Sequence, residues 1–233
     1  MLSQAKRAKR ATPWNEGEER LMQADLNAAG VRCDSSHDCE ARRAAMLRLS
    51  LLYRWQRAIA AGLEMGFRLA DINAQFATHV EATYRMCVTV RRLSAWRRRY
   101  ESGGIVALVD GFRPDGIPAA SASRREALPG HAQLMPPAKA RAMAEGLAGK
   151  GVALADGAEA VRRLAVVLRW ERIYIGAACL GFSRKQCLRS FLDTMVRRYG
   201  QSLSRATLFN WQRAYHKNEL IGLVDGRKHR SRD

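Results

Sequence analysis

No run of about twenty apolar residues, the length a spanning helix needs, occurs in this chain of 233 residues. The most apolar stretches, LRLSLLYRW and LAVVLRW, are short and interrupted by arginine. A basic amphipathic helix with a continuous aromatic face, which would lie on a membrane surface, is also missing, so no membrane partner is expected. The opening MLSQAKRAKRAT is basic but has no apolar region behind it. No secretory leader is therefore expected, and the expected location is cytoplasmic and nucleoid-associated. There is no C-x-x-C pair, and the cysteines (Cys33, Cys39, Cys87, Cys179 and Cys187) are odd in number, which predicts reduced thiols. Cys33, His37 and Cys39 bring three zinc-type ligands close together, but a structural zinc needs a fourth and no second pair answers them. The reading there is a polar loop in which Ser36 or Asp38 caps the following helix, with no metal and no cofactor.

Acidic residues are scarce as well, 22 Asp+Glu against 40 Lys+Arg, and nothing reads as alternating strands. Two-metal phosphoryl transfer needs clustered carboxylates on a rigid frame. Beyond Asp110 the acids are scattered, and Glu171 and Asp193 sit on helical patterns that also carry several arginines. No catalytic residue is assigned, and the chain is expected not to be an enzyme.

What the sequence has in excess is positive charge. The formal net charge is +18 and the pI about 10.7, while 47% hydrophobic residues suffice to build cores. Most of the excess is arginine, whose planar fork suits phosphate and guanine edges, so double-stranded DNA is the expected partner.

The charge is carried on a repeated frame. The segments VTVRRLSAWRRRYESGGIVALVDGFR and SLSRATLFNWQRAYHKNELIGLVDGRK share one spacing: 211 − 96, 215 − 100 and 226 − 111, for the Trp, Tyr and Gly pairs, are each 115. The same offset holds without a gap from Ala45/Ala160, through Arg48/Arg163, Leu49/Leu164, Trp55/Trp170, Gly66/Gly181, Phe76/Phe191 and Leu93/Leu208, to Gly111/Gly226. Such a register marks one module written twice. In each copy a first helical stripe (Leu47, Leu51, Leu52, Trp55 and Ile59; then Leu164, Val167, Trp170 and Ile173) ends at Gly-Phe. A second stripe (Ile72, Phe76 and Val80; then Cys187, Phe191 and Met195) and a turn lead into a third.

The predicted fold is therefore all-α: two tandem three-helix helix-turn-helix modules joined by a Pro/Ala/Gly-rich linker. The divisions are a basic N-terminal arm and short helix (1–39), the first module (40–113), the linker (114–158) with one short helix near 138–147, the second module (159–228) and a basic tail (229–233). The arm either lies in a minor groove beside the first module or stays solvated. Forty-five linker residues (158 − 114 + 1), taken as flexible, would span about 34–40 Å. That is about one turn of DNA, so the modules would occupy neighbouring major grooves.

At about 100° per residue, with Leu208, Trp211 and Tyr215 turned inward, the second copy presents Ala206, Phe209, Asn210, Arg213 and Lys217. In the first copy Arg91, Ser94, Ala95, Arg98 and Ser102 face outward, flanked by Arg92, Arg97 and Arg99. The DNA-binding set read from these faces is Arg91, Arg92, Ser94, Arg98 and Arg99, then Ser204, Arg205, Ala206, Asn210, Arg213 and Lys217, with Arg227 and Lys228 in the segment that follows. Asn210 suits adenine and Arg213 suits guanine or phosphate. Arg98 and Arg213 share one register position, whereas their neighbours differ, so the copies would read different sequences. Trp96 and Trp211 lie on the inward stripe and read as core; Asp110-Gly111 and Asp225-Gly226 read as tight turns.

SLSRATLFNWQRAYHKNELIGLVDGR, with Phe182–Tyr199 before it, resembles the helix-turn-helix region of Mu-type and related insertion-element DDE transposases. There a Ser/Thr-Leu-x-x-Trp helix is followed by a Tyr and a Gly-Leu-x-x-Leu hook. The resemblance covers both repeats, about two thirds of the chain. It implies recognition of an element's terminal sequences, with a transposase catalytic subunit or a second copy as further partner. The catalytic domain of that family would follow where this chain ends, at Asp233. A free-standing transcriptional regulator and a basic helical module for RNA or protein are the alternative readings.

Overall fold

The structure, a computed structural model, describes residues 12–110 and 135–224. The basic arm up to Ala11, the linker residues 111–134 and the segment from Asp225, which holds Arg227, Lys228 and the basic tail, lie outside the described residues. Among the described residues there are eight α-helices and no strand, and the chain is all-α. The helices are α1 (Glu16–Ala28), α2 (Ser36–Glu64), α3 (Leu69–Tyr84), α4 (Val90–Gly103), α5 (Pro137–Ala148), α6 (Leu154–Ala178), α7 (Arg184–Tyr199) and α8 (Arg205–Asn218). A 3-10 helix follows α4 at Gly104–Leu108, and another follows α8 at Glu219–Leu223.

Element bounds recur at the spacing of the sequence repeat. Both ends of α3 and α7, of α4 and α8, and of the two 3-10 helices differ by 115. The capping chemistry recurs with them. The Thr89 hydroxyl accepts from the Arg92 amide at 3.3 Å, and the Ser204 hydroxyl from the Thr207 amide at 3.0 Å, each satisfying a first-turn donor. Leu49, Phe76, Leu93 and Leu108 are buried, as are their counterparts Leu164, Phe191, Leu208 and Leu223.

The described residues divide into two compact units: residues 12–59, 69–110 and 179–181, and residues 60–68, 135–178 and 182–224. In the first unit α1 is an integral helix. Its start is fixed by a capping box between Asn15 and Glu18, Leu26 is fully buried, and Arg54 donates to the Pro13 carbonyl at 2.8 Å. The division expected at residue 39 thus falls inside a packed unit, and α2 starts at Ser36. Deeper in the unit the Trp55 indole donates to Asn73 at 2.8 Å.

The second unit has two clusters. Trp170, Ile173, Phe191, Met195 and Leu208 form one, together with Ala61 and Met65; Leu147, Val152, Ala160, Leu164 and Leu223 form the other. Leu147 lies on α5, inside the expected linker. The second folded unit therefore begins before residue 159, and the span reckoned on forty-five free residues does not apply.

Two thiols are not free. Cys33 and Cys39 are joined as a disulfide, with Cα atoms 5.0 Å apart, and Cys87, Cys179 and Cys187 take no part in it. This corrects the expectation of five reduced thiols; six residues of separation permit closure because the turn into α2 brings the two Cα atoms together. The cap of α2 is Ser35, whose hydroxyl accepts from the Asp38 amide at 3.1 Å and donates to the Asp38 carboxylate at 2.7 Å. Neither Ser36 nor Asp38 occupies the capping position.

Candidate nucleic-acid interface

The α3–α4 and α7–α8 pairs are each joined by five residues, 85–89 and 200–204. The turn is reached through a left-handed residue at the same register position, Arg85 (φ 56°) in one and Gly200 (φ 61°) in the other. The second is a helix-ending αL glycine, whose amide bonds the Val196 carbonyl at 3.0 Å.

On α4, Leu93 and Tyr100 are buried against the first unit and Arg91, Arg92 and Arg98 are exposed. Ser94 and Arg99 are half-buried. Arg99 donates to the Val109 carbonyl at 3.2 Å, so it ties α4 to the segment behind the 3-10 helix. Arg92 reaches back to the Cys87 carbonyl at 3.4 Å. Arg97 is paired with Glu101 at 2.7 Å.

On α8, Arg205, Ala206, Asn210, Arg213 and Lys217 are exposed. Asn210 accepts from Arg213 at 3.1 Å, and this bond holds the two most informative base-reading candidates together. Ser204 is exposed but serves as the cap. Phe209, expected on the outer face, is instead half-buried: it packs against the first cluster, with its ring 6.1 Å from Trp170 at 77°. The outer face of α8 is narrower by that residue.

Three site-shaping features were missed by sequence reasoning. Arg184, the first residue of α7, has its guanidinium carbon 5.0 Å from the Phe209 ring centre. Its position was readable from the Ser183…Gln186 capping box that begins the helix. Glu171 on α6 bonds Gln212 at 2.9 Å and His216 at 2.7 Å, which fixes the far side of α8. Arg48 and Arg163 were visible as an identical pair, but their role follows only from the packing: each lies over the inward tryptophan of its copy, Trp96 at 5.7 Å and Trp211 at 5.5 Å. The tryptophans are half-buried under these guanidiniums.

Among the described residues no group of three or more His, Cys, Asp or Glu side chains is placed to hold a metal ion, and no helix is long and apolar enough to cross a membrane. No family model, no curated protein and no solved structure matches the chain.

Proposed function

We propose that the chain binds double-stranded DNA at a bipartite site, with α3–α4 and α7–α8 as two helix-turn-helix pairs and α4 and α8 as the readers. It would serve as the end-recognition portion of a transposase-like protein, acting by binding and not by cleavage. The observation that carries this reading is the pair of exposed cationic faces on helices of equal length at equivalent register: Arg91, Arg92 and Arg98 on α4, and Arg205, Arg213 and Lys217 on α8. Arginine on an exposed helix suits bidentate contact with guanine or phosphate, and Asn210 suits adenine. The +18 charge adds the sequence-independent attraction that brings a protein to DNA.

The test is fluorescence anisotropy with labelled random duplex, in competition with structured RNA and heparin at one salt concentration. Duplex is expected to win, with affinity falling steeply as salt rises. Preference for RNA, or equal displacement by heparin and duplex, would contradict the proposal. Incubation of the same duplex with magnesium or manganese is expected to leave it uncut.

A further inference from the structure

The second unit contains a cleft between the start of α7 and the outer side of α8. It has a volume of about 660 Å³ and is lined by Arg184 at the start of α7 and by Arg205, Phe209, Arg213 and Lys217 on α8. Gln212 and His216 complete the wall, and no carboxylate lines it. The nearest acid bonded to this wall, Glu171, is already engaged by Gln212 and His216.

Phe209 decides what the cleft can hold. The guanidinium carbons of Arg184 and Arg205 stand 5.0 and 5.6 Å from its ring centre, and the ring also packs at a steep angle on the buried Trp170. With two cations and a tryptophan around it, Phe209 offers a base little to stack on. It does hold two guanidiniums in place against the core, so that their N–H groups can meet an anion with little further ordering. Each of these arginines is also the first residue of its helix, where the backbone favours negative charge.

The register-equivalent positions of the first copy, 115 residues earlier, are Leu69, Val90, Ser94, Arg98 and Ser102. Leu69 and Val90 are exposed hydrophobics there, and the counterpart of Gln212 is Arg97, which is paired with Glu101. Two arginines and their aromatic support have no equivalent.

From this we infer that the α7/α8 cleft is a phosphate seat, taking one backbone phosphodiester of duplex DNA, and that the two copies have divided their work: the second grips the backbone more strongly than the first. The inference rests on the DNA-binding reading for the source of the phosphate, not for the anion chemistry.

The experiment measures duplex affinity of the full chain across a salt series for the wild type, for Arg184→Gln/Arg205→Gln, and for Lys139→Gln/Arg141→Gln, which removes two exposed charges from α5. The cleft variant is expected to lose about tenfold in affinity and to lower the salt slope by about 0.9, the worth of one phosphate. The α5 variant is expected to match the wild type. Equal losses in both would reduce the effect to net charge, and no loss in the cleft variant would remove the seat; either result overturns the inference while leaving DNA binding intact. Thermal midpoints confirm that the variants fold, and Phe209→Leu, which keeps every charge, is expected to weaken binding in the same direction. If the wild type binds no duplex, titration with inorganic pyrophosphate followed by amide NMR shifts decides the seat by itself. Shifts at residues 184, 205, 209 and 213 that vanish in the cleft variant support an anion site, and their absence overturns it.

Discussion

Arg163 covers the Trp211 ring, its guanidinium carbon 5.5 Å from the ring centre, and donates to the Leu223 carbonyl at 3.0 Å. Arg48 stands over Trp96 and donates to the Leu108 carbonyl in the same way, adding a bond to Asp110. The two arginines therefore act as struts: each joins the long helix of its copy to α4 or α8 and to the 3-10 helix behind it. Removing the strut should be costly, because a charge-assisted bond, a cation–π contact and the cover of a large indole are lost together. Arg163→Ala is expected to destabilise the second unit by about 2–3 kcal/mol in denaturant unfolding. Arg163→Lys should restore only part of this, since an ammonium cannot stack and fork at once.

Strain is distributed between the copies in a complementary way. Besides the glycine pair Gly66 and Gly181, positive φ occurs at Arg85 and Gly104 in the first copy and at their counterparts Gly200 and Glu219 in the second. Glu219 (φ 53°, ψ −144°) occupies a region close to one that only glycine enters readily, and its counterpart Gly104 (φ 68°, ψ −158°) is a glycine. Glu219→Gly is thus expected to stabilise the protein by about 1 kcal/mol despite the greater freedom of an unfolded glycine. Gly104→Glu should destabilise it. A lowered thermal midpoint for Glu219→Gly would show that the side chain stabilises this conformation by contacts that outweigh the strain.

Two carboxyls give the stability a defined dependence on acidity. The Arg48 guanidinium holds the Asp110 carboxyl below its ordinary range, and Arg162, assisted by Arg163, does the same for Glu159. A carboxyl whose pKa is lower in the folded state favours folding when ionised. Its contribution is complete above the ordinary carboxylate value of about 4 and is lost as pH falls through the lowered one. The Asp110→Asn/Glu159→Gln variant is expected to be less stable than the wild type at neutral pH, with the two stability curves converging on acidification. Parallel curves would contradict the assignment.

The disulfide gives a direct chemical count. Alkylation of the denatured, unreduced chain is expected to label Cys87, Cys179 and Cys187 only, leaving Cys33 and Cys39 to react after reduction. Labelling of all five cysteines would remove the pairing.

Much of the helical frame was legible from periodicity. The α3 stripe Ile72, Phe76, Val80 and the α7 stripe Cys187, Phe191, Met195 are all buried, because apolar residues at helical spacing have one face to hide. The same 115 offset relates the two 3-10 helices, a conformation that apolar periodicity does not reveal, while the tight turns expected at Gly111 and at Asp225-Gly226 fall outside the described residues. The packed helix at the front of each unit was not legible as part of a module. Leu26 of α1 and Leu147 of α5 lie 147 − 26, or 121, residues apart, so these helices fall outside the constant register. Exposure of the candidate residues was legible in part. Arg91, Arg98, Asn210, Arg213 and Lys217 are exposed as their helical positions imply. Phe209 departs because it packs on Trp170 of α6 and beneath Arg184 of α7, and no spacing within α8 carries that information.

Bipartite recognition of duplex DNA is put to the test by selecting bound sequences from a random duplex pool and footprinting the chain on the result. Two protected half-sites of different sequence are expected, one lost or relaxed in Arg98→Ala and the other in Arg213→Ala, each substitution costing about 1–3 kcal/mol at its own half-site. A single protected site unaffected by Arg213→Ala, or a pool that yields no enriched sequence, would contradict it.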